Sequence, residues 1–218
     1  MSYSLVIFDL DGTLADSFPW FLRNVNDVAD RFGFRRVADA DVEPLRHAGS
    51  REILARLEVP LWKVPMIARY MRRLKTQHMA DIPLFPGAEA MLRRLADAGL
   101  RLALVSSDHE ANARQQLGEA AALFSDFDCG ASLFGKTAKF RRVIKRAGVS
   151  PAQTIAIGDE VRDIEAARAA GIPCGAVSWG FAAPGALRAL GPDLIFERID
   201  DITGTLLAAK PHTVAAAQ

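Results

Sequence analysis

The sequence predicts an α/β fold: an open, doubly wound parallel sheet with helices on both faces and an all-helical segment inserted near its start. Short, unbroken apolar runs recur at LVIFDLD (5–11), RLALVSSD (101–108), TIAIGDE (154–160) and CGAVSWG (174–180). Runs of this kind suit strands covered on both faces, as in a parallel sheet. Helical patterns fill the gaps between them, so the strands are joined by right-handed crossovers. About ninety residues separate the first run from the second, where a crossover needs only about a dozen, so something is inserted there.

The elements follow in order. The first strand ends near Asp9. In the insert, Phe18, Phe21, Val25, Val28 and Phe32 recur at three and four, after Ser17 as N-cap and before Gly33. Further helical stretches are expected at SREILARL (50–57) and over roughly 62–79, and the segment DIPLFPG returns the chain to the sheet. The expected division is a helical domain at 16–82 within a core domain formed by 1–15 and 83–218. Later helices are AEAMLRRLADAG, stopped by Gly99, AKFRRVIKRAG, ended by Gly148, and VRDIEAARAAG, ended by Gly171. No internal repeat is present, and the Ala-rich tail VAAAQ is expected to fray.

Composition narrows the function classes. The 218 residues are 50% hydrophobic and 24% charged, ordinary for a folded chain able to bury a substantial core. Lys and Arg total 27 against 26 Asp and Glu, so bulk charge points to neither a nucleic-acid nor a membrane partner. The densest basic cluster, Arg69, Arg72, Arg73 and Lys75, is expected on a solvated helix face. Cys129 and Cys174 are too few for a disulfide framework and read as buried thiols in a reducing compartment. The N-terminus lacks a basic region followed by a long apolar segment, and no uncharged apolar run approaches ~18 residues, so a cytoplasmic location is expected. The four histidines, His47, His78, His109 and His212, have no ligand spacing.

In open α/β sheets, ligands bind beyond the carboxyl ends of the strands. The residues following the apolar runs therefore converge: Asp9 and Asp11, Ser106 and Ser107, Asp159 and Asp163. Taken singly, each could be a turn or a helix cap. Together, like charges this close call for a raised pKa or a bound cation, and hard carboxylate oxygens without His or Cys suit magnesium shared with a substrate phosphate. A calcium loop is excluded, because Gly12 stands fourth and Trp20 twelfth where glycine sixth and glutamate twelfth are required. A dinucleotide site is excluded because DGTLADS is not G-x-G-x-x-G.

The residues FDLDGT (8–13), VSS (105–107), a downstream lysine and GDEVRD (158–163) resemble, in order, the four motifs of the haloacid dehalogenase superfamily of phosphohydrolases. Within it, the position of the helical insert is similar to the cap of the phosphoglycolate phosphatase and beta-phosphoglucomutase branch. The resemblance implies a Rossmann-like core with an α-helical cap, the cofactor Mg2+ and a small-molecule phosphate ester as substrate. It implies a phosphatase working through an aspartyl phosphate, with 2-phosphoglycolate the first candidate and monomer or homodimer the expected state.

By the same resemblance Asp9 is the nucleophile and Asp11 the general acid and base, while Asp9, Asp11 and Asp159 surround the metal. Ser106 holds the transferring phosphoryl group, where threonine is commoner in this branch. Leu10, Gly12, Thr13 and Ser107 belong to the phosphate cradle, and Asp163 and Glu160 support the metal ligands from outside. The lysine departs from the branch's usual Lys-Pro: FGKTAKF offers both Lys136 and Lys139, and Lys136 is favoured because Lys139 falls inside an amphipathic helix beside Phe140. For substrate recognition by the cap, Arg51 is the first candidate and His47 the second. Alternatives are a phosphomutase on the same core, a non-catalytic phosphate-binding protein and, from another class, a signalling receiver domain. A receiver, however, carries its acceptor aspartate on a later, interior strand and has no cap.

Overall fold

The computed structural model describes residues 3–130 and 135–208; the VAAAQ tail and His212 lie outside them. Six strands, β1 (Leu5–Phe8), β2 (Arg101–Val105), β3 (Phe124–Asp128), β4 (Thr154–Gly158), β5 (Cys174–Val177) and β6 (Leu194–Phe196), form one parallel sheet in the order β3-β2-β1-β4-β5-β6. The order reverses at β1 and β4, whose outward ends therefore flank a crevice.

Side chains alternate across this sheet, as the two-residue strand period requires. Val6, Phe8, Leu102, Leu104, Ile155 and Ile157 join one buried cluster, and Leu5, Ile7, Ala103, Val105 and Ala156 join the other. Each large aliphatic or aromatic side chain so buried contributes about 1.5–3 kcal/mol, so β1, with all four residues at 0% exposure, is fixed in place directly behind Asp9.

Two strands were not expected from the sequence. β3 reads FSDFD and β6 reads LIF, and both are edges of the sheet. An edge strand does not need the unbroken apolar run that a strand covered on both faces requires. On β3 the acidic positions serve packing. Asp128 accepts both 2.8 and 2.9 Å bonds from the Arg142 guanidinium, and Asp126 takes a similar fork from Arg146. Both arginines lie on α7 (Lys136–Ala147). Burial alone would raise the Asp128 carboxyl, but the two guanidinium groups outweigh it and hold it below the usual range.

Between β1 and β2 lie α1 (Phe18–Phe32), α2 (Asp39–Arg46), α3 (Ser50–Arg56) and α4 (Val64–Gln77). Ser17 does occupy the N-cap of α1, but its hydroxyl makes no capping bond and is buried without a partner. Pro19 in the first turn removes one of the N–H groups such a cap would satisfy. α2 carries no clear signal in the sequence, because Pro44 stands inside it and none of its residues is buried. The insert has its own small core, with Val25, Val37, Leu57, Val59 and Val64 buried. Its entry and exit strands pair: Asp16 N–H donates to Pro83 at 2.9 Å and Phe85 N–H to Leu14 at 2.9 Å, a two-stranded neck.

After the neck come α5 (Ala88–Asp97), α6 (Glu110–Leu117), α7, α8 (Val161–Ala170), α9 (Pro184–Ala189) and α10 (Ile199–Ala208). Gly33, Gly148 and Gly171 terminate α1, α7 and α8 in the left-handed conformation. Among the described residues, no helix is long and apolar enough to cross a membrane. Cys174 is buried and Cys129 only half-buried; both are free thiols, pushed by burial up to about 12 and about 11 respectively.

Candidate active site

Asp9 leaves β1 and Asp159 leaves β4, and because these strands are neighbours at the reversal of the sheet, the two carboxylates meet. Asp163, on the first turn of α8, completes the group: ligand oxygens of Asp9, Asp159 and Asp163 all lie within 4.8 Å of one another. All three side chains are buried, at 4%, 0% and 2% exposure. Asp163, expected outside the metal site, therefore stands within the acidic triad.

Each carboxylate is oriented by its neighbours. Asp9 Oδ1 accepts from the Leu10 N–H at 2.8 Å, and Asp9 Oδ2 lies 2.7 Å from Lys136 Nζ. Lys136 also bonds Asp163, bridging the two acids. Asp159 accepts from the Thr13 hydroxyl at 2.8 Å and from the Phe181 N–H at 2.8 Å. The second oxygen of Asp163 takes the N–H groups of Asp159 and Glu160 at 3.1 and 3.0 Å.

The packing leaves no room for a side chain at Gly12 or Gly158. Gly12 adopts φ +75°, which favours glycine, and a Cβ there would sit 2.2 Å from Asp159 Oδ2. A Cβ at Gly158 would sit 2.3 Å from Asp163 Oδ2.

Charge balance follows from burial and these contacts. Burial, then the neighbouring Glu160, Asp163 and Asp9 carboxylates, pushes Asp159 well above the usual range. Asp9 is raised chiefly by burial, partly offset by Lys136. Burial would raise Asp163 too, but Lys136 and Arg162 outweigh it and hold that carboxyl low. Lys136 is the converse: burial opposes its charge, and Asp163 and Asp9 more than restore it. Three buried carboxylates cannot all stay ionised cheaply around Lys136 and Arg162, and the strain shows as the raised Asp9 and Asp159.

The two candidate lysines face different partners. Lys136 opens α7 and points into the triad. Lys139, one turn further on, is buried beneath β2 and donates to the carbonyls of Ser106 at 2.6 Å and Gly130 at 2.7 Å. Burial lowers its pKa.

On the opposite wall, Asp11 does not join the triad. Its Oδ1 lies 2.6 Å from Nζ of Lys75, which also reaches Asp108 at 3.0 Å. Lys75 comes from α4, and it corrects the expectation of a solvated basic face: it is 4% exposed. Burial would lower its pKa, but the Asp11 and Asp108 carboxylates raise it. Nothing local in the sequence signals this residue, because its partners lie 64 and 33 positions away.

Ser106 is buried and its Oγ accepts from the Asp108 N–H at 3.1 Å; among the described residues its hydroxyl donates to no other group. Ser107 is half-buried at the cavity wall. The N–H groups of Leu10, Gly12 and Thr13, expected to face phosphate, all have internal acceptors: Asp9 Oδ1, the Ala15 carbonyl at 2.8 Å and the Leu10 carbonyl at 3.3 Å. Glu160 is half-buried and paired with Arg162.

A cavity of about 750 Å3 opens above Asp11 and Ser107 and is walled by α1, α3 and α4 on one side and by Arg162 and Phe181 on the other. Phe181 packs edge-on against Phe18 and Phe21 at 5.0 and 5.6 Å, and Arg46 donates to its carbonyl at 3.0 Å, tying the insert to the loop after β5. Of the residues expected to read substrate, neither lines this cavity. Arg51 is exposed on α3, and His47 is half-exposed beside Glu43 at 3.3 Å.

Comparison with known proteins agrees with this arrangement. The family profile described as haloacid dehalogenase-like hydrolase matches residues 6–177. The phosphoglycolate phosphatase of Synechococcus elongatus is 33% identical over 199 residues, covering 90% of this chain and 94% of that protein. The phosphoglycolate phosphatase of Xanthomonas campestris is 33% identical over 187 residues, covering 81% of this chain and 83% of that protein. Among solved structures, a haloacid dehalogenase-like family hydrolase from Streptococcus pneumoniae superposes with a TM-score of 0.77 at 20% identity, covering 93% of this chain and 98% of that one.

Proposed function

Because the chain belongs to the haloacid dehalogenase-like hydrolase family, we propose that it is a magnesium-dependent phosphatase that cleaves a small phosphate monoester through a phosphorylated Asp9. The observation that carries this reading is the buried triad: Asp9, with Lys136 Nζ at 2.7 Å, lies among two further carboxylates at the one point where the strand order reverses. The best first substrate is 2-phosphoglycolate, supported by the names of the relatives at 33% identity.

The triad suits magnesium. Its donors are hard carboxylate oxygens alone, and they are buried within 4.8 Å of one another. Asp9, Asp159 and Asp163 would hold the ion, which when bound supplies positive charge against the phosphoryl oxygens.

The chain's own residues divide the rest of the work. A carboxylate oxygen of Asp9 attacks phosphorus, the ester P–O bond breaks, and Asp11 gives its proton to the leaving oxygen. Asp11 then takes a proton from water, whose oxygen attacks the same phosphorus. The bond to Asp9 breaks, inorganic phosphate leaves, and both aspartates return to their starting forms. Lys136 balances charge on Asp9 and the phosphoryl oxygens throughout, and the free hydroxyl hydrogen of Ser106 is available to one of those oxygens. Thr13 and Phe181 hold Asp159 still. Residues 16–82 act as a cap: Lys75 and Phe181 draw the helices over the cleft, which excludes water and selects the leaving group.

The test is phosphate release from a panel of phosphorylated metabolites, including 2-phosphoglycolate and hexose phosphates, with magnesium, with chelator, and with Asp9→Asn. The reading predicts release that needs both magnesium and Asp9. Release unaffected by Asp9→Asn would overturn it.

A further inference from the structure

The wall of the cavity carries more positive than negative side chains, and the surplus sits on one helix. Its cations are Arg46, Arg69, Arg72, Lys75 and Arg162; its anions are Asp11, Asp108 and Glu160. Lys75 is taken by Asp11 and Asp108, Arg162 by Glu160, and Arg46 by Glu43 at 3.0 Å and by backbone carbonyls. That leaves Arg69 and Arg72, one helical turn apart on α4. Among the described residues, no carboxylate pairs with the Arg72 guanidinium, and its Nε is buried without any hydrogen-bond partner.

A buried charged donor without an acceptor is costly, and native structures keep few of them without a reason. The placement supplies one. Pro65, Ala68, Arg69, Arg72 and Lys75 share one face of α4 at helical spacing and all line the cavity. Lys75 marks the end of that face at Asp11, and Arg72 stands one turn, about 5 Å along the axis, further from the reacting centre.

Resting on the phosphatase reading above, we infer that Arg72, assisted by Arg69, is a specificity-determining residue that binds a second oxyanion of the substrate, beyond the phosphoryl group that meets Asp9. A guanidinium fork grips a carboxylate or a second phosphate through two parallel bonds, and the two arginines supply the charge to match it. The substrate class is a phosphate monoester whose leaving group is itself anionic. The sequence candidate for this role, Arg51, lies outside the cavity wall.

The experiment compares 2-phosphoglycolate with ethyl phosphate, which puts a methyl group where the carboxylate stands, and with 1,3-propanediol bisphosphate, which puts a phosphate further out. Arg72→Met should lower kcat/KM for 2-phosphoglycolate about 30-fold, mainly through KM, and that for ethyl phosphate less than about threefold. Arg72→Lys should recover only part of the loss, because a point charge replaces the fork. Whether the bisphosphate or the carboxylate suffers the larger loss identifies which oxyanion the subsite fits. Equal losses on all three esters, or none, would overturn the subsite. Binding of 2-phosphoglycolate to Asp9→Asn protein, by calorimetry, separates the two claims. If the wild type turns over no ester but Arg72→Met still weakens this binding at least tenfold, the reaction is wrong and the subsite stands. Unchanged binding overturns the subsite whatever turnover does.

Discussion

Two lysines, Lys136 half-buried and Lys75 buried, reach the site from opposite sides. Lys136 belongs to the core: α7 is clamped to β3 by the Arg142 and Arg146 forks, and its first residue is thereby aimed at Asp9 and Asp163. Lys75 belongs to the insert and meets Asp11 and Asp108 across the cleft. The core pair sits within one packed body. The other pair exists only while the helices between β1 and β2 stay over the sheet, joined to it by the neck at Ala15 and Leu84. The difference teaches that charge balance at Asp9 is a property of the fold, whereas charge balance at Asp11 is a property of closure.

The largest effect expected from this contrast is at Lys136. Lys136→Met should reduce kcat about 10^3-fold in a phosphate-release assay, since it removes a preorganised cation from the reacting centre. It should also cost about 3 kcal/mol in denaturant unfolding of metal-free protein, because two buried carboxylates lose their partner. Lys75→Met should be milder, about tenfold in kcat and about 1–2 kcal/mol in stability, since Asp11 is partly solvated and only Asp108 is left buried and unpaired. Equal penalties for the two variants would break the comparison.

A smaller effect is expected at the aromatic contact that holds the insert down. Phe181→Ala should raise KM about fivefold with kcat changed less, because each edge-on ring pair contributes about 1 kcal/mol. A drop in kcat without a KM change would show that the ring acts on Asp159, through the backbone bond beside it, rather than on the insert.

The smallest effect is a slope. Asp159 is raised in the folded state, so between the ordinary carboxylate value, about 4, and its own raised value the folded chain keeps a proton that the unfolded chain has lost. Stability contributed by that proton is full below the lower limit and disappears as pH rises through the window. This group's contribution to the thermal midpoint of metal-free protein should therefore fall as pH rises above about 4, so that the midpoint of Asp159→Asn declines less, or rises more, with pH than that of wild type. A steeper decline in that variant would contradict the charge balance assigned to the triad.

What the sequence made legible follows the same division. Strands covered on both faces announce themselves as apolar runs, and β1, β2, β4 and β5 were readable for that reason. The edges β3 and β6 were not. The acids that meet at the sheet reversal were readable because each directly follows such a run. The sequence favours Lys136 over Lys139 only because Lys139 falls inside an amphipathic helix beside Phe140; the fold adds that Lys136 lies 2.7 Å from Asp9 while Lys139 donates to the Ser106 carbonyl. Lys75 and Arg72 were not separable from their neighbours, since a cluster of basic residues at helical spacing does not say which face meets a cavity until the insert is seated on the core. Arg51 is the sequence's first candidate because a guanidinium grips a carboxylate or phosphate through two bonds, but the folded chain leaves it exposed and outside the cavity wall.

The central claim is that Asp9 carries the phosphoryl group. Its most direct measurement is to quench the protein during turnover with magnesium, reduce any acyl phosphate with borohydride, and locate the reduced side chain by mass spectrometry. The account predicts reduction at residue 9 in wild-type protein in an amount approaching the enzyme present, and none in Asp9→Asn. Steady turnover with Asp9 never modified, or modification at another carboxylate, would contradict it.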